Sequence, residues 1–198
     1  MSCQRRLASS QKKRCPIKSS SKVYFLLPWL VWGLGAALFF SQYLGRIAPG
    51  IMVPELIQTF HVSALALGTL SAFFYIAYVG LQLPVGMLVD RYGPRLLLPV
   101  MGGLYVLGCI VFALATRLGY AELGRFLMGF GAAFTFISTL KLATNWFPAS
   151  RIGLLAGLTQ AIGMLGAAVG RAPVSYAVSS FGWRETMFGI AILTALAS

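Results

Sequence analysis

The chain has little negative charge and few residues of the kinds that carry out chemistry. Its 198 residues include four aspartates and glutamates, one histidine and three cysteines, against sixteen lysines and arginines. Cys3, Cys15 and Cys109 lack the spacing of metal ligands, and no carboxylate pair, histidine cluster or nucleophile with a neighbouring base is visible. The phosphate-binding pattern Gly-x-x-x-x-Gly-Lys is also missing. We therefore expect a protein that is not an enzyme and that uses no metal and no cofactor.

The basic residues are concentrated at one end of the chain. Seven of the sixteen fall within the first 22 positions, with no acid among them. These seven are Arg5, Arg6, Lys12, Lys13, Arg14, Lys18 and Lys22. Because the others are scattered singly between apolar runs, they form no stripe for nucleic acid, and we expect no nucleic-acid partner despite the net charge of +12. Residues 1–22 are interpreted as a basic cytosolic tail, and an organellar transit peptide is the alternative.

Long apolar runs make up most of the remaining sequence. Hydrophobic residues are 58% of the chain, more than the interior of a soluble domain of this size can bury, which indicates lipid as the solvent. Five segments approach the roughly 20 apolar residues that a membrane-crossing helix requires. They are residues 24–46, 66–88, 96–116, 122–143 and 153–174. A sixth segment, residues 185–198, is too short to cross, and the whole pattern predicts an all-α membrane protein.

The charges between these segments predict their orientation. Arg91, Arg95 and Arg151 fall on the side of the basic tail, whereas Arg117 and Arg184 fall on the opposite side together with three glutamates. Because lysine and arginine favour the cytosolic side of a membrane protein, we expect the N-terminus in the cytoplasm. The outer connections are then expected near residues 50–64, 117–121 and 175–184.

Glycines recur at four-residue spacing in the fifth segment. Gly153 and Gly157 form one pair, and Gly166 and Gly170 form another. Small residues at this spacing let two helices approach closely in a membrane. We expect both pairs to pack against neighbouring helices, and flexibility or a cavity lining is the alternative.

The stretch GMLVDRYGPR, residues 86–95, places one acid and two arginines between the second and third segments. A tight cytosolic loop explains the arginines, but Asp90 opposes the positive-inside bias. The stretch resembles the signature loop between the second and third helices of the major facilitator superfamily, with Pro94 where a basic residue is common. The matching residues are Gly86, Leu88, Asp90, Arg91, Gly93 and Arg95. The resemblance implies a cytosolic conformational lock, for which Arg151 is the nearest partner of Asp90 that the sequence offers.

Other segments carry the same resemblance. Arg125 and Gly129 match the fourth-helix element R-x-x-x-G of the family. Residues 46–49, 145–148 and 181–184 resemble elements of the branch that carries sugar acids, such as hexuronates and galactonate, and other organic anions. The resemblance implies that residues 23–198 are the amino-terminal six-helix half of the twelve-helix fold, with a truncated sixth helix, in a bacterial inner membrane.

Several polar side chains in the apolar segments are candidates for contact with a solute. Ionisable groups inside membrane helices are costly and usually face a cavity or a partner. The candidates are Arg46, Tyr43, Tyr75, Lys141 and Gln160. Arg46 matches the carboxylate-binding arginine that the resemblance implies, and a guanidinium pairs bidentately with a carboxylate. Arg46 and Lys141 also fit the alternative of reaching toward lipid head groups.

These features predict a secondary transporter that moves a small organic anion or zwitterion by alternating access. Its expected partners are the solute, the lipid bilayer, and either a missing carboxy-terminal half or a second copy of the chain. Ala132 and Gly45 occupy positions where symporters of the similar branch often carry an acid, which argues against proton coupling within this half. An amino-acid, peptide or neutral-sugar carrier remains an alternative, as does a truncated or split-gene fragment that transports nothing.

Overall fold

The computed structural model describes the backbone of residues 21–198 and the side chains from residue 27 onward, so the basic tail lies almost wholly outside it. Within these residues the regular structure is entirely helical, as predicted. The helices are α1 (Ser21–Ile51), α2 (Val53–Phe60), α3 (Ala64–Gly80), α4 (Gln82–Tyr92), α5 (Pro94–Ala113), α6 (Leu118–Trp146), α7 (Ala149–Phe181) and α8 (Trp183–Ala197).

Most of these helices suit a membrane. Helices α1, α5, α6 and α7 are long and apolar enough to cross one, and the α2–α3 pair, bent by 110°, would add a fifth span within the described residues. The predicted second segment, residues 66–88, lies on α3 and α4, which are separated only by Leu81. Helix α8 has 15 residues, fewer than a crossing requires. The chain is thus a multi-pass membrane protein.

The predicted outer connections are shorter than hydropathy suggested. Residues 53–60 of the first connection form α2, with Pro54 in its first turn, where the missing N–H of proline costs nothing. The second connection is shorter because residues 118–121 belong to α6. The third connection, expected at 175–184, consists of Gly182 alone between α7 and α8. These loop predictions were wrong because hydropathy locates apolar runs but does not distinguish a polar loop from a polar helix end.

The Phe181–Arg184 stretch holds one end of the bundle together. Gly182 has φ of +91°, a conformation that favours glycine. The buried Trp183 indole N–H donates to the Thr59 hydroxyl of α2 at 3.2 Å. The Arg184 guanidinium donates to the Ala115 carbonyl, beyond the end of α5, also at 3.2 Å. One turn thereby ties α2, α5 and α8 together.

Glycines set the closest helix contacts. A Cβ at Gly108 of α5 would lie 2.7 Å from the Met128 nitrogen of α6 and 2.8 Å from the Gly124 carbonyl oxygen. Gly166 and Gly170 of α7 likewise lie close against α1, because a Cβ at Gly166 would be 3.0 Å from Phe40 and one at Gly170 would overlap the end of the Leu44 side chain. The packing prediction is therefore confirmed for this pair.

The other glycine pair of α7 behaves differently. No described atom lies within 4 Å of a Cβ built at Gly153 or Gly157. Among the described residues, therefore, no neighbouring helix packs against this pair, and its packing stays a prediction. The spacing of small residues reveals that a helix can be approached closely, but not which face of it another helix occupies.

Candidate functional site

Arg46 of α1 lies within a cage of aromatic rings. Its guanidinium carbon is 4.8 Å from the centroid of Tyr43 on the same helix. Three rings of α3 complete the cage, at 5.2 Å for Phe74, 5.7 Å for Tyr75 and 4.6 Å for Tyr78. A cation over the face of an aromatic ring is attracted by the ring quadrupole. The half-buried Arg46 side chain is therefore held between α1 and α3 by rings, and no hydrogen bond to a residue that the structure describes engages its N–H donors, which can serve an oxygen-bearing ligand.

A third helix reaches the same place through Gln160. The Gln160 amide of α7 donates to the Tyr43 hydroxyl at 2.9 Å, across 117 positions of sequence. Gly163, one turn further along α7, lies against the rings of Phe39 and Tyr43. Four of the five solute candidates are thus connected, because the rings of Tyr43 and Tyr75 face Arg46 and Gln160 bonds Tyr43.

Arg125 of α6 is buried beneath this cage, with 1% of its surface exposed. Its Nε donates to the Leu70 carbonyl of α3 at 3.3 Å, and one terminal nitrogen donates to the Gly45 carbonyl of α1 at 3.0 Å. Its guanidinium carbon also lies 4.6 Å from the centroid of the Phe74 ring. Phe74, which the sequence reasoning did not single out, thus contacts both Arg46 and Arg125.

Two glycines allow the helices to approach each other around Arg125. A Cβ at Gly129 of α6 would overlap the backbone carbonyl of Phe74 in α3. A Cβ at Gly45 would overlap the Tyr105 hydroxyl of α5, which donates to the Gln42 carbonyl at 2.9 Å. The side-chain space at Gly45 is therefore filled by a tyrosine hydroxyl.

Lys141 is placed apart from the cage. Its ammonium lies 2.7 Å from a carboxylate oxygen of Asp90 at the end of α4, so its assignment as a solute candidate loses its support. The expected partner of Asp90 was Arg151, and that expectation was wrong. Lys141 was overlooked as the partner because hydropathy gives the depth of a residue but not the rotation of its helix.

The remaining residues of the lock motif lie around Asp90. Gly93 connects α4 to α5 with φ of +81°. This backbone conformation is costly for a residue that has a Cβ, so it favours glycine. The guanidinium of Arg91 lies 5.6 Å from the ring of Tyr92, and Arg95 lines a surface cleft beside the end of α6. No described atom lies within 4 Å of a Cβ at Gly86, so Gly86 makes no close helix contact among residues 27–198.

The electrostatics of the cage suit an anion. Among the side chains that the structure describes, the sole ion pair is Lys141–Asp90, so neither Arg46 nor Arg125 has a carboxylate within 4 Å. Two guanidinium groups share one buried aromatic ring in a region where each charge lacks a counterion. Since a guanidinium pairs well with a carboxylate or similar oxyanion, the arrangement can bind such a group at Arg46.

Comparison with known proteins matches residues 23–198 to the family model described as Major Facilitator Superfamily. A Bacillus subtilis protein named "Uncharacterized transporter YybO" is 29% identical over 170 residues, 85% of this chain and 39% of that protein. The "Probable sulfoacetate transporter SauU" of Cupriavidus necator is 24% identical over 79% of this chain and 36% of its own length. The "Hexuronate transporter" of Bacillus subtilis is 29% identical, with coverages of 77% and 36%. The chain therefore spans well under half the length of these relatives.

Proposed function

Because this chain belongs to the major facilitator superfamily, we propose that it forms one half of a secondary transporter that carries a small organic anion by alternating access. The observation that carries this proposal is the caged Arg46, a half-buried guanidinium surrounded by four aromatic rings and without a carboxylate partner among the described side chains. The rings orient the cation in advance, so that little side-chain freedom is lost when a carboxylate binds.

The neighbouring groups favour an anion that also carries hydroxyl or other polar groups. Tyr43 and Tyr75, whose rings face Arg46, carry hydroxyls, and the Gln160 amide bonds Tyr43; these groups can donate or accept hydrogen bonds. The Arg125 guanidinium, which contacts the Phe74 ring, adds positive potential, and it forms no ion pair with a carboxylate among the described side chains. Two of the relatives are named for sulfoacetate and hexuronate, both organic anions, which supports the same class of solute.

The second half of the cavity is supplied by other helices in this proposal. Alternating access in this superfamily is the rocking of one six-helix half against another around a central site. We infer that the partner is a carboxy-terminal half or a second copy of the chain. We also infer that the cytosolic side carries the Asp90–Lys141 pair and the N-terminus, as the distribution of arginines predicts.

Binding to the purified chain in lipid nanodiscs tests the site. Galacturonate and sulfoacetate should raise the thermal unfolding temperature in a saturable manner, because a ligand that binds only the native state stabilises it. Arg46→Gln should abolish this stabilisation and Arg46→Lys should retain part of it, while Arg117→Gln, a charge-matched change at the outer end, should leave it intact. Equal stabilisation by neutral galactose, or an undiminished effect in Arg46→Gln, would reject the anion site.

A further inference from the structure

Helix α1 contains a backbone carbonyl that its own helix cannot satisfy. In an α-helix each carbonyl accepts a hydrogen bond from the N–H four residues later, and the residue four positions after Gly45 is Pro49. Pro49 lies inside α1 and has no N–H to donate. The Gly45 carbonyl is therefore left without a backbone donor in the interior of the bundle. Inside a membrane such a carbonyl must accept a hydrogen bond from another protein group, because no water is there to replace the missing N–H.

Arg125 is that partner. A terminal nitrogen of its guanidinium donates to the Gly45 carbonyl oxygen at 3.0 Å, and Arg125 is almost fully buried. At the same time its Nε donates to the Leu70 carbonyl of α3, so one side chain of α6 holds the backbones of α1 and α3. A planar guanidinium with several fixed donors suits such a double contact better than a single ammonium would.

The contact fixes the peptide group that joins Gly45 to Arg46. On its other side, the Tyr105 hydroxyl occupies the space of a side chain at position 45 and donates to the Gln42 carbonyl. The backbone immediately before Arg46 is therefore held by α6 from one direction and by α5 from another. The Phe74 ring adds a further link, because both guanidinium groups contact it.

We propose that Arg125 is a positioning residue that replaces the hydrogen bond removed by Pro49 and thereby holds Arg46 in its aromatic cage. Arg125 acts on the solute through the backbone of α1 and does not itself touch the solute. The part of this proposal that concerns the solute rests on the proposed function. The part that concerns the Arg125–Gly45 hydrogen bond, here called the clamp on α1, does not.

Pro49→Ala provides the decisive test, since it restores an N–H four residues after Gly45. Arg125→Gln alone should lower the unfolding temperature of the purified chain in nanodiscs and speed amide hydrogen exchange of residues 42–50. When Pro49→Ala is added, less than half of that loss in unfolding temperature should remain. Pro28→Ala, in the same helix but far from Arg125, is the matched control and should rescue nothing. Arg125→Lys, which keeps one donor, should fall between wild type and Arg125→Gln.

The outcomes separate the clamp from the solute site. Additive losses in the double variant, or equal rescue by Pro28→Ala, would overturn the clamp. With galacturonate as the probe, Arg125→Gln should bind about tenfold more weakly, the loss of about one charge-assisted hydrogen bond, and the addition of Pro49→Ala should recover most of the affinity. Recovery of stability without recovery of affinity would show that Arg125 touches the solute and reject the positioning role. Failure of the wild type to bind the probe would reject the proposed function, while unfolding and exchange would still decide the clamp.

Discussion

At the scale of single residues, Lys141 and Arg46 show that the surroundings of a basic side chain determine whether its charge is neutralised by the protein. Lys141 finds Asp90 at 2.7 Å, and both side chains are well exposed, at 44% and 66%. Arg46 is half-buried and finds aromatic faces instead of a carboxylate. The charge of Lys141 is therefore neutralised by the protein, whereas the charge of Arg46 remains available to a ligand. The first arrangement suits a structural lock and the second suits a binding site.

We expect the Asp90–Lys141 pair to affect conformation more than stability. An exposed ion pair is worth about 0.2–1 kcal/mol, so Asp90→Asn should shift the unfolding temperature only slightly. The same change should loosen the contact between α4 and α6, because Asp90 lies at the end of α4 and Lys141 lies on α6. Spin labels on these two helices should report a broader distance distribution in electron paramagnetic resonance.

A charge exchange provides the control for this pair. The double variant Asp90→Lys with Lys141→Asp keeps both charges and reverses them, so it should restore much of the narrow distribution. Arg151→Gln, which alters the partner expected from sequence, should have no effect. If Arg151→Gln broadened the distribution and Asp90→Asn did not, the pair seen in the structure would not be the lock.

The cage around Arg46 could be predicted from sequence only in part. An arginine and a tyrosine within apolar segments are polar groups in an unexpected place, and this marked Arg46 and Tyr75 as candidates. Phe74 carried no such signal, because one phenylalanine in an apolar helix looks like any other. Its contact with two arginines depends on how α1, α3 and α6 are rotated, which is decided by packing across long sequence separations.

At the scale of helices, glycine determines which pairs lie closest. Gly108 and Gly124 let the backbones of α5 and α6 meet, and Gly129 does the same for α3 and α6. Side chains there would overlap backbone atoms, which cannot rotate away as a flexible side chain can. These close contacts position Arg125 within reach of two neighbouring helices.

We therefore expect Gly108→Val to destabilise the bundle strongly. Overpacking of a closely packed interior typically costs about 1–3 kcal/mol, and contact with two backbone atoms of α6 should place this change at the upper end. Gly103→Val is the matched control in the same helix, since no described atom lies within 4 Å of a Cβ at Gly103. Thermal unfolding in nanodiscs should show a clear loss for Gly108→Val and little change for Gly103→Val, and equal losses would contradict the assigned α5–α6 contact.

The apolar runs of the sequence indicate long helices, but they do not reveal where a helix is interrupted. A continuous apolar run forces a helix in lipid, because every backbone group must be satisfied within the segment. The break at Leu81 lies three residues before Pro84, which has no N–H to donate, and the short helix α2 occurs where residues of mixed polarity offer no such constraint. Hydropathy is a local property, and these features depend on neighbours such as Trp183, which bonds α2 from the far end of the chain.

For the whole molecule, we expect α1 to begin on the cytosolic side. The basic tail, Arg91, Arg95 and Arg151 then share one side, in agreement with the positive-inside bias. In a variant whose three native cysteines are replaced by serine, a cysteine at Ser179, exposed near the end of α7, should react with an impermeant thiol reagent added outside intact cells. A cysteine at Ser150, exposed at the start of α7, should react only after the membrane is opened. The reverse pattern would invert the proposed orientation.

The cage opens toward a face that the described helices leave uncovered. Tyr75 is 47% exposed and Ile76 beside it is 64% exposed, so the surface of α3 next to Arg46 lacks a facing wall. A solute bound there would have one side enclosed by this bundle and the other by whatever rocks against it.

Liposomes containing residues 1–198 alone should therefore show no saturable uptake of galacturonate or sulfoacetate. Uptake should appear when a complementary six-helix half is reconstituted with them, and Arg46→Gln should abolish it again. The same liposomes should retain solute-induced stabilisation of the wild-type chain, because binding at Arg46 requires fewer groups than transport does. Saturable uptake by residues 1–198 alone, lost in Arg46→Gln, would instead show that two copies of this chain enclose the cage between them.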